Sequence, residues 1–317
     1  MTEPSTDDRL FDEAFLHKLE QLAILSRQAI AGQLQGERRS PKRGQSVEFA
    51  DFRPYVMGDD LRRIDWNAYA RLERFFIKLF VNEEDLTVHL LIDTSRSMNW
   101  GEPNKLRYAA RAAGALGYIA LASLDRVTAT AFGGTGRDGG PSGGSGYFAP
   151  RRGKQQALAL FAFLQALTTP SAGRAPFPGA QPTVTALGPR LRTFAAKTTQ
   201  PGPLLLFSDL MDDGWADGLR ALAARGFEVT LLHILSPDEV NPVLEGDLKL
   251  LDVENGAEVE ITADFDLVQR YKDGLAQWQQ ELRQFCSARG MHYVPVETSL
   301  PFETLLFAVL RQRGVIK

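Results

Sequence analysis

The sequence predicts an α/β fold: a doubly wound, mostly parallel sheet with a small strand-containing module before it and a β-hairpin insertion near the C-terminus. Three observations lead there. The runs Thr87–Asp93, Val127–Phe132, Pro203–Asp209 and Glu228–Leu235 have strand length and are nearly continuous in apolar residues, as strands buried on both faces are. Segments of helical spacing alternate with them, which is the pattern of βαβ units. Two of these strands also end in polar groups, Asp93 and Ser208-Asp209. Open α/β sheets place their binding sites at such carboxyl ends.

In chain order, Phe11, Phe15, Leu19, Leu22 and Leu25 give one apolar face to a helix over about Leu10–Leu34. A basic loop, Glu37 to Gly44, follows. Ser46–Phe49 and Arg74–Val81 read as short strands around a turn-rich centre, Tyr55–Asp60. Strand Thr87–Asp93 leads to an Ala-rich helix, Lys105–Leu124, and strand Val127–Phe132 to a glycine-rich loop, Gly133–Gly146. A short strand at Gly146–Ala149, a helix at Lys154–Leu167 and a Pro/Gly/Ala-rich connection, Thr168–Pro182, come next. Helices at Leu187–Lys197 and Trp215–Arg225 then flank strand Pro203–Asp209, and Glu228–Leu235 is a further strand. Leu248–Glu254 and Glu258–Ile261 flank Asn255-Gly256, a strong two-residue hairpin signal. A long helix, Phe265–Arg289, a last strand, Met291–Val296, and a terminal helix from Pro301 close the chain. The expected division is 1–82, an N-terminal helix plus the small module, and 83–317, the α/β domain with a hairpin insertion at 247–262.

Composition narrows the function. At 317 residues the chain is long enough for one large α/β domain with additions. The 36 basic and 39 acidic side chains give a net charge of −3, which offers no general attraction to nucleic acid or anionic membrane. One cysteine, Cys286, excludes an internal disulfide and a multi-cysteine metal site; its helical setting reads as an inert, partly buried thiol. The four histidines are too dispersed for a local zinc motif. The acidic start, Met1 to Asp8, is unlike a secretory signal, and no run is long and apolar enough for a transmembrane helix. A cytoplasmic protein without membrane insertion is expected. The glycine-rich loop lacks Gly-Lys-Ser/Thr, and there is no Gly-x-Ser-x-Gly elbow, so neither a nucleotide cradle nor a serine hydrolase is indicated. No catalytic constellation emerges.

Asp93-Thr94-Ser95-Arg96-Ser97, at the end of the first buried strand, offers a carboxylate and two alternating hydroxyls. Asp209 ends another strand. Oxygen-only ligands suit a hard cation such as Mg²⁺. This run, followed by Thr185 and Asp209 in that order, resembles the metal-ion-dependent adhesion site of von Willebrand factor type A domains, whose fold is of Rossmann type. The resemblance implies Ser95, Ser97 and Thr185 as ligands of Mg²⁺ (or Mn²⁺ or Ca²⁺), with Asp93 and Asp209 bound directly or through water. Thr183 and Thr185 both precede Leu187; Thr185 is preferred for its distance to the following helix. Gln181-Pro182 stands where the family has glycines.

A second block, Arg39–Phe49, Arg53–Trp66 and Ala70-Arg71, resembles the bacterial "domain of unknown function 58" proteins. These are von Willebrand A-like proteins often encoded beside MoxR-type AAA+ ATPases. The resemblance implies a metal-dependent protein-interaction module, an adaptor or co-chaperone whose client offers an acidic residue to the metal. A metal-dependent hydrolase using Asp209 or Asp212, and a scaffold with a vacant metal site, are the alternatives. Glu48, Asp51, Asp59, Asp60 and Asp65 alternate with Arg53, Arg62, Arg63 and Arg71 and read as ion pairs and turn caps, with Trp66 as a packing anchor.

Overall fold

The computed structural model describes residues 10–11, 15, 17–19, 48–56, 64–81, 86–132, 146–169, 187–251 and 257–312. The chain divides into two compact units, Gln33–Asp85 and the remainder.

In the smaller unit, β1 (Glu48–Pro54) pairs antiparallel with β2 (Phe76–Val81), with a register shift between Phe49 and Asp51. Between them lies α1 (Trp66–Leu72), a helix absent from the sequence reading. Asp65 starts it: its carboxylate accepts from the Asn67 and Ala68 amides at 2.9 and 3.2 Å, satisfying two of the N–H groups a helix start leaves open. Glu73, left-handed at φ 51°, ends it. Asp65 is thus the turn cap expected of the charged block, whereas Asp59, Asp60, Arg62 and Arg63 lie outside the described residues. Trp66 is no packing anchor: it is 62% exposed, and α1 has no buried residue. Its ring meets Tyr69 and Phe75 edge-on, with Tyr69 stacked on Phe75 at 4.5 Å.

The larger unit is built on a six-stranded sheet. Its strands are β3 (Thr87–Asp93), β4 (Arg126–Phe132), β5 (Tyr147–Arg152), β6 (Pro203–Ser208), β7 (Glu228–Leu235) and β10 (His292–Glu297). The spatial order is β10-β7-β6-β3-β4-β5; all pairings are parallel except β4 with β5. Strand order reverses between β3 and β6, where successive crossovers leave in opposite directions and open a crevice at the carboxyl ends.

Period-two alternation sends side chains to two cores. Leu90, Ile92, Val127, Ala129, Leu205 and Phe207 face one; Leu91, Leu204, Leu206, Val229 and Leu231 face the other. Over the first face lie α2 (Lys105–Ala122), α3 (Ala157–Thr168) and, at the C-terminus, α8 (Phe302–Gln312). All but Arg107 and Arg111 of the 18 residues of α2 are buried, which its alanines make possible by letting the helix approach the sheet and its neighbours closely. Over the second face lie α4 (Leu187–Lys197), α5 (Trp215–Ala224) and α7 (Phe265–Ser287), while α6 (Pro237–Val240) is a single capped turn after β7. The hairpin β8 (Gly246–Leu251) and β9 (Glu258–Ala263) pairs as expected; its Asn255-Gly256 turn lies outside the described residues.

The N-terminal segment, grouped by sequence with the small module, packs in the larger unit. Leu10, Phe15 and Leu19 are buried in the α2 core. Phe11 stacks on Phe161 at 4.5 Å, Phe15 meets Phe302 at 4.9 Å, and Lys18 pairs with Glu303 at 2.6 Å. Its apolar stripe finds its partner in α3 and α8, far along the chain, which nothing local to residues 10–34 encodes.

Candidate functional site

The carboxyl ends of β3 and β6, side by side at the order reversal, bring Asp93 and Asp209 together. Asp93 is buried and held by two residues. Ser208 Oγ donates to its Oδ2 at 2.6 Å, and the Ser95 amide donates to its Oδ1 at 2.9 Å. Ser208 Oγ in turn accepts from the Leu210 amide at 2.9 Å. Leu210 sits at φ 54°, a left-handed conformation that costs a branched side chain about 1 kcal/mol. Burial, and then the charge of Asp209, push the Asp93 carboxyl up to about 6, against the opposing bonds from Ser208 and Ser95. The Ser95 and Ser97 hydroxyls stand 3.0 Å apart, as the alternating spacing requires. The loop is pinned to β4 by Thr94, whose amide and hydroxyl both donate to the Phe132 carbonyl at 2.5 and 3.0 Å. Asp93, Ser95, Ser97 and Asp209 therefore share one sheet edge; Thr185 and Thr183 lie outside the described residues.

Two residues missed by the sequence reading complete the edge. Lys105, 0% exposed, donates to Asp209 Oδ2 at 2.8 Å and to Glu239 Oε1 at 2.5 Å. It is the first residue of α2, where a cation opposes the helix dipole. A locally unfavourable choice of that kind marks a residue needed by tertiary structure, and it was the available signal. Glu239 belongs to the Ser236-Pro-Asp-Glu capping box: its Oε2 accepts from the Ser236 amide at 2.7 Å, and Ser236 Oγ accepts from its amide at 3.3 Å. The loops after β3 and β7 approach closely. A side chain on Gly101, at φ +86°, would place its Cβ 2.4 Å from Ser236 Cβ, so only glycine fits.

Asp209 is further fixed through its backbone. His233 Nε2 lies 3.1 Å from the Asp209 carbonyl, which can only accept, so Nε2 carries the proton and Nδ1 accepts from Tyr293 Oη at 2.9 Å. Burial lowers the His233 pKa to about 4, keeping this ring neutral. Asp212 is occupied in fold-building: its oxygens accept from the Leu187 amide at 3.0 Å and the Gly214 amide at 2.7 Å, capping α4.

The donor set suits a hard cation. Lys105 bridges Asp209 and Glu239, and Asp93 stands against the charge of Asp209, so carboxylate charge at this edge exceeds the one ammonium, beside two convergent hydroxyls. Such charge is costly without a compensating ion. Among the described residues no three His, Cys, Asp or Glu side chains converge on one point, so a cation there would depend on hydroxyl oxygens.

Among solved structures, the chain is similar to a conserved hypothetical protein, BatB, from Bacteroides thetaiotaomicron. That match has 17% identity and a TM-score of 0.39, covering 72% of this chain and 97% of the other. It is also similar to an aerotolerance-related membrane protein from Bacteroides fragilis, with 15% identity and a TM-score of 0.39 over 73% and 98% of the two chains. No helix among the described residues is long and apolar enough to cross a membrane. Relatives in sequence include the uncharacterized proteins Mb1516 of Mycobacterium bovis and Rv1480 of Mycobacterium tuberculosis. Each is 23% identical over 303 residues, 94% of this chain and 90% of the relative. The model of the family described as protein of unknown function DUF58 matches residues 51–281, and this chain belongs to that family.

Proposed function

We propose that this chain is a divalent-cation-dependent protein-interaction module of the cytoplasm, with a von Willebrand A-like, Rossmann-type core. Ser95 and Ser97, with Thr185 as the third hydroxyl, would hold Mg²⁺, Mn²⁺ or Ca²⁺, and Asp93 and Asp209 would bind it directly or through water. The cation would act as a bridge, offering its remaining position to an Asp or Glu of the partner. The partner class is a MoxR-type AAA+ ATPase with its client, this chain serving as adaptor or co-chaperone. The observation that carries the reading is the pair of hydroxyls 3.0 Å apart beside a buried carboxylate pair, at the sheet's order reversal. The strand order with its antiparallel edge strand supports the same core.

The test is thermal unfolding with and without millimolar Mg²⁺ or Mn²⁺. Binding to the folded state alone raises the midpoint by mass action, so wild type should shift and the Ser95→Ala/Ser97→Ala double variant should not. The partnership is read by pulldown of a MoxR-type ATPase from the same organism. Equal capture in excess chelator and by Asp93→Ala would sink it.

A second reading, a scaffold whose edge charge is met from within, draws on the Lys105 ammonium already 2.8 Å from Asp209. It predicts no divalent-ion shift in either protein.

A further inference from the structure

The sheet face opposite α2 carries a cavity of about 480 Å³, beside α4 and over β3, β4 and β5, within the roughly 300–1,000 Å³ range of small-molecule sites. Period-two alternation sets its floor. In β4, Val127 and Ala129 face the α2 core, so Thr128 and Thr130 turn to the other side. β3 adds Thr87 and His89 there, and all four are buried. Ring surface comes from Phe132 and Phe194, whose planes meet at 87° with centroids 6.1 Å apart, and from Tyr147 of β5. Phe194 also stands nearly perpendicular to the His89 ring, centroids 5.7 Å apart. The aromatic wall and the polar floor therefore meet at His89.

What the floor offers is acceptors. His89, 4% exposed, has Nε2 3.1 Å from the Gln200 carbonyl, which can only accept, so that nitrogen carries the proton. Burial lowers its pKa and keeps the ring neutral. The Nδ1 lone pair is then buried without a hydrogen-bond partner, a rare state in native proteins and a costly one. Thr128 Oγ1 commits its proton to the Phe148 carbonyl at 2.7 Å, so toward any other group it can only accept. Arg126 and Arg190 also line the cavity, but both already have partners within the protein. An ion seated at the uncharged floor would lose hydration that hydroxyls and a neutral imidazole do not replace. A neutral donor matches this floor, and a flat apolar body matches the rings beside it.

We infer that this cavity binds a small neutral aromatic molecule, its flat body against Phe132 and Phe194 and one N–H or O–H donated to the floor at His89 Nδ1. Asp93, Ser95, Ser97 and Asp209 do not line it, so binding needs no divalent cation and stands or falls apart from the proposal above.

Isothermal titration of the full chain in EDTA tests this with two matched pairs, 2-naphthol against its methyl ether and indole against 1-methylindole. Each pair keeps the rings and removes the donor. At least one donor-bearing compound should bind at one site per chain, about tenfold tighter than its methylated twin, the worth of one hydrogen bond. The anion 2-naphthoate should bind more weakly than 2-naphthol. His89→Phe keeps a flat ring and removes the acceptor, so it should bring 2-naphthol down to the affinity of its ether and leave the ether unchanged. Thr193→Trp, exposed on α4 and lining the cavity, should abolish all binding, and it keeps the test decisive should His89→Phe fail to fold. Arg192→Trp, the same bulk at the neighbouring exposed position that does not line the cavity, should leave binding as in wild type. Failure of wild type to bind both 2-naphthol and indole would overturn the inference. Methylated twins binding as tightly as their parents, 2-naphthoate binding tighter than 2-naphthol, or undiminished binding by Thr193→Trp would do the same.

Discussion

The two faces of the central sheet are covered by different means. On one, α2 is enclosed almost completely: alanines and two glycines bring it so close to β3, β4 and α3 that nothing larger fits. On the other, α5 and α7 seal β6 and β7 with leucines and aromatics, while the area over β3 and β4 is left to hydroxyls, a histidine and a cavity. One face is spent on close packing and fixes the sheet. The other carries polar groups, of which Thr128 and His89 bond the Phe148 and Gln200 carbonyls. The lesson is that burial by itself does not identify function; what separates the faces is whether apolar side chains alone, or hydroxyls and a histidine as well, cover the strands.

The largest expected effect contrasts two lysines. Lys105, on the packed face, joins Asp209 and Glu239, so Lys105→Met strands two carboxylates and should destabilise the chain by about 3–5 kcal/mol. Lys197→Met, on the open face, should stay within about 0.5 kcal/mol. Chemical denaturation midpoints decide this, and equal values would erase the contrast. Next come two small-to-large or isosteric changes. A Cβ at Gly117 would lie 2.6 Å from Leu160 Cδ2 and 3.0 Å from Leu90 Cδ1, so Gly117→Val should cost about 1–3 kcal/mol. Thr130→Val, over the cavity, keeps its shape and should change stability by less than about 1 kcal/mol. A loss at Thr130 as large as that at Gly117 would mean the open face is packed as tightly.

The smallest effect concerns the sealed part of the second face. Cys286 on α7 is fully buried, and burial pushes its thiol up to about 11. The neutral form is therefore favoured in the folded state; its contribution is complete below the ordinary value of 9.0 and is lost as pH rises through about 11. Iodoacetamide at pH 8 should leave the native thiol untouched and react only after unfolding. Native-state alkylation would show that α7 does not seal this region.

Much of the architecture was legible. Continuous apolar runs marked β3, β4, β6 and β7 because strands buried on both faces admit little else, and alanine spacing marked α2. Asp93, Ser95, Ser97 and Asp209 were legible as one group because each ends a strand or follows one directly, and parallel strands deliver their ends to a common edge. α1 escaped because a seven-residue helix with no buried residue has no apolar periodicity; its only mark is the cap, Asp65. Trp66 misled, since size and hydrophobicity suggest burial, whereas it stands 62% exposed on a helix with no buried residue.

The sequence by itself determined the α/β alternation, the strand ends that carry carboxylates and hydroxyls, and the single cysteine and dispersed histidines that leave no local Cys or His metal motif. Those are properties of local period and spacing, carried within a dozen residues. Only the tertiary structure decided that Lys105 turns inward to Asp209 and Glu239, residues 104 and 134 positions away. It also decided that Phe11, Phe15 and Lys18 of the N-terminal segment lie against α3 and α8, and that Thr128, Thr130 and His89 line a cavity beside α4. Each of these depends on which distant surface arrives opposite a residue, and chain-local chemistry does not encode that.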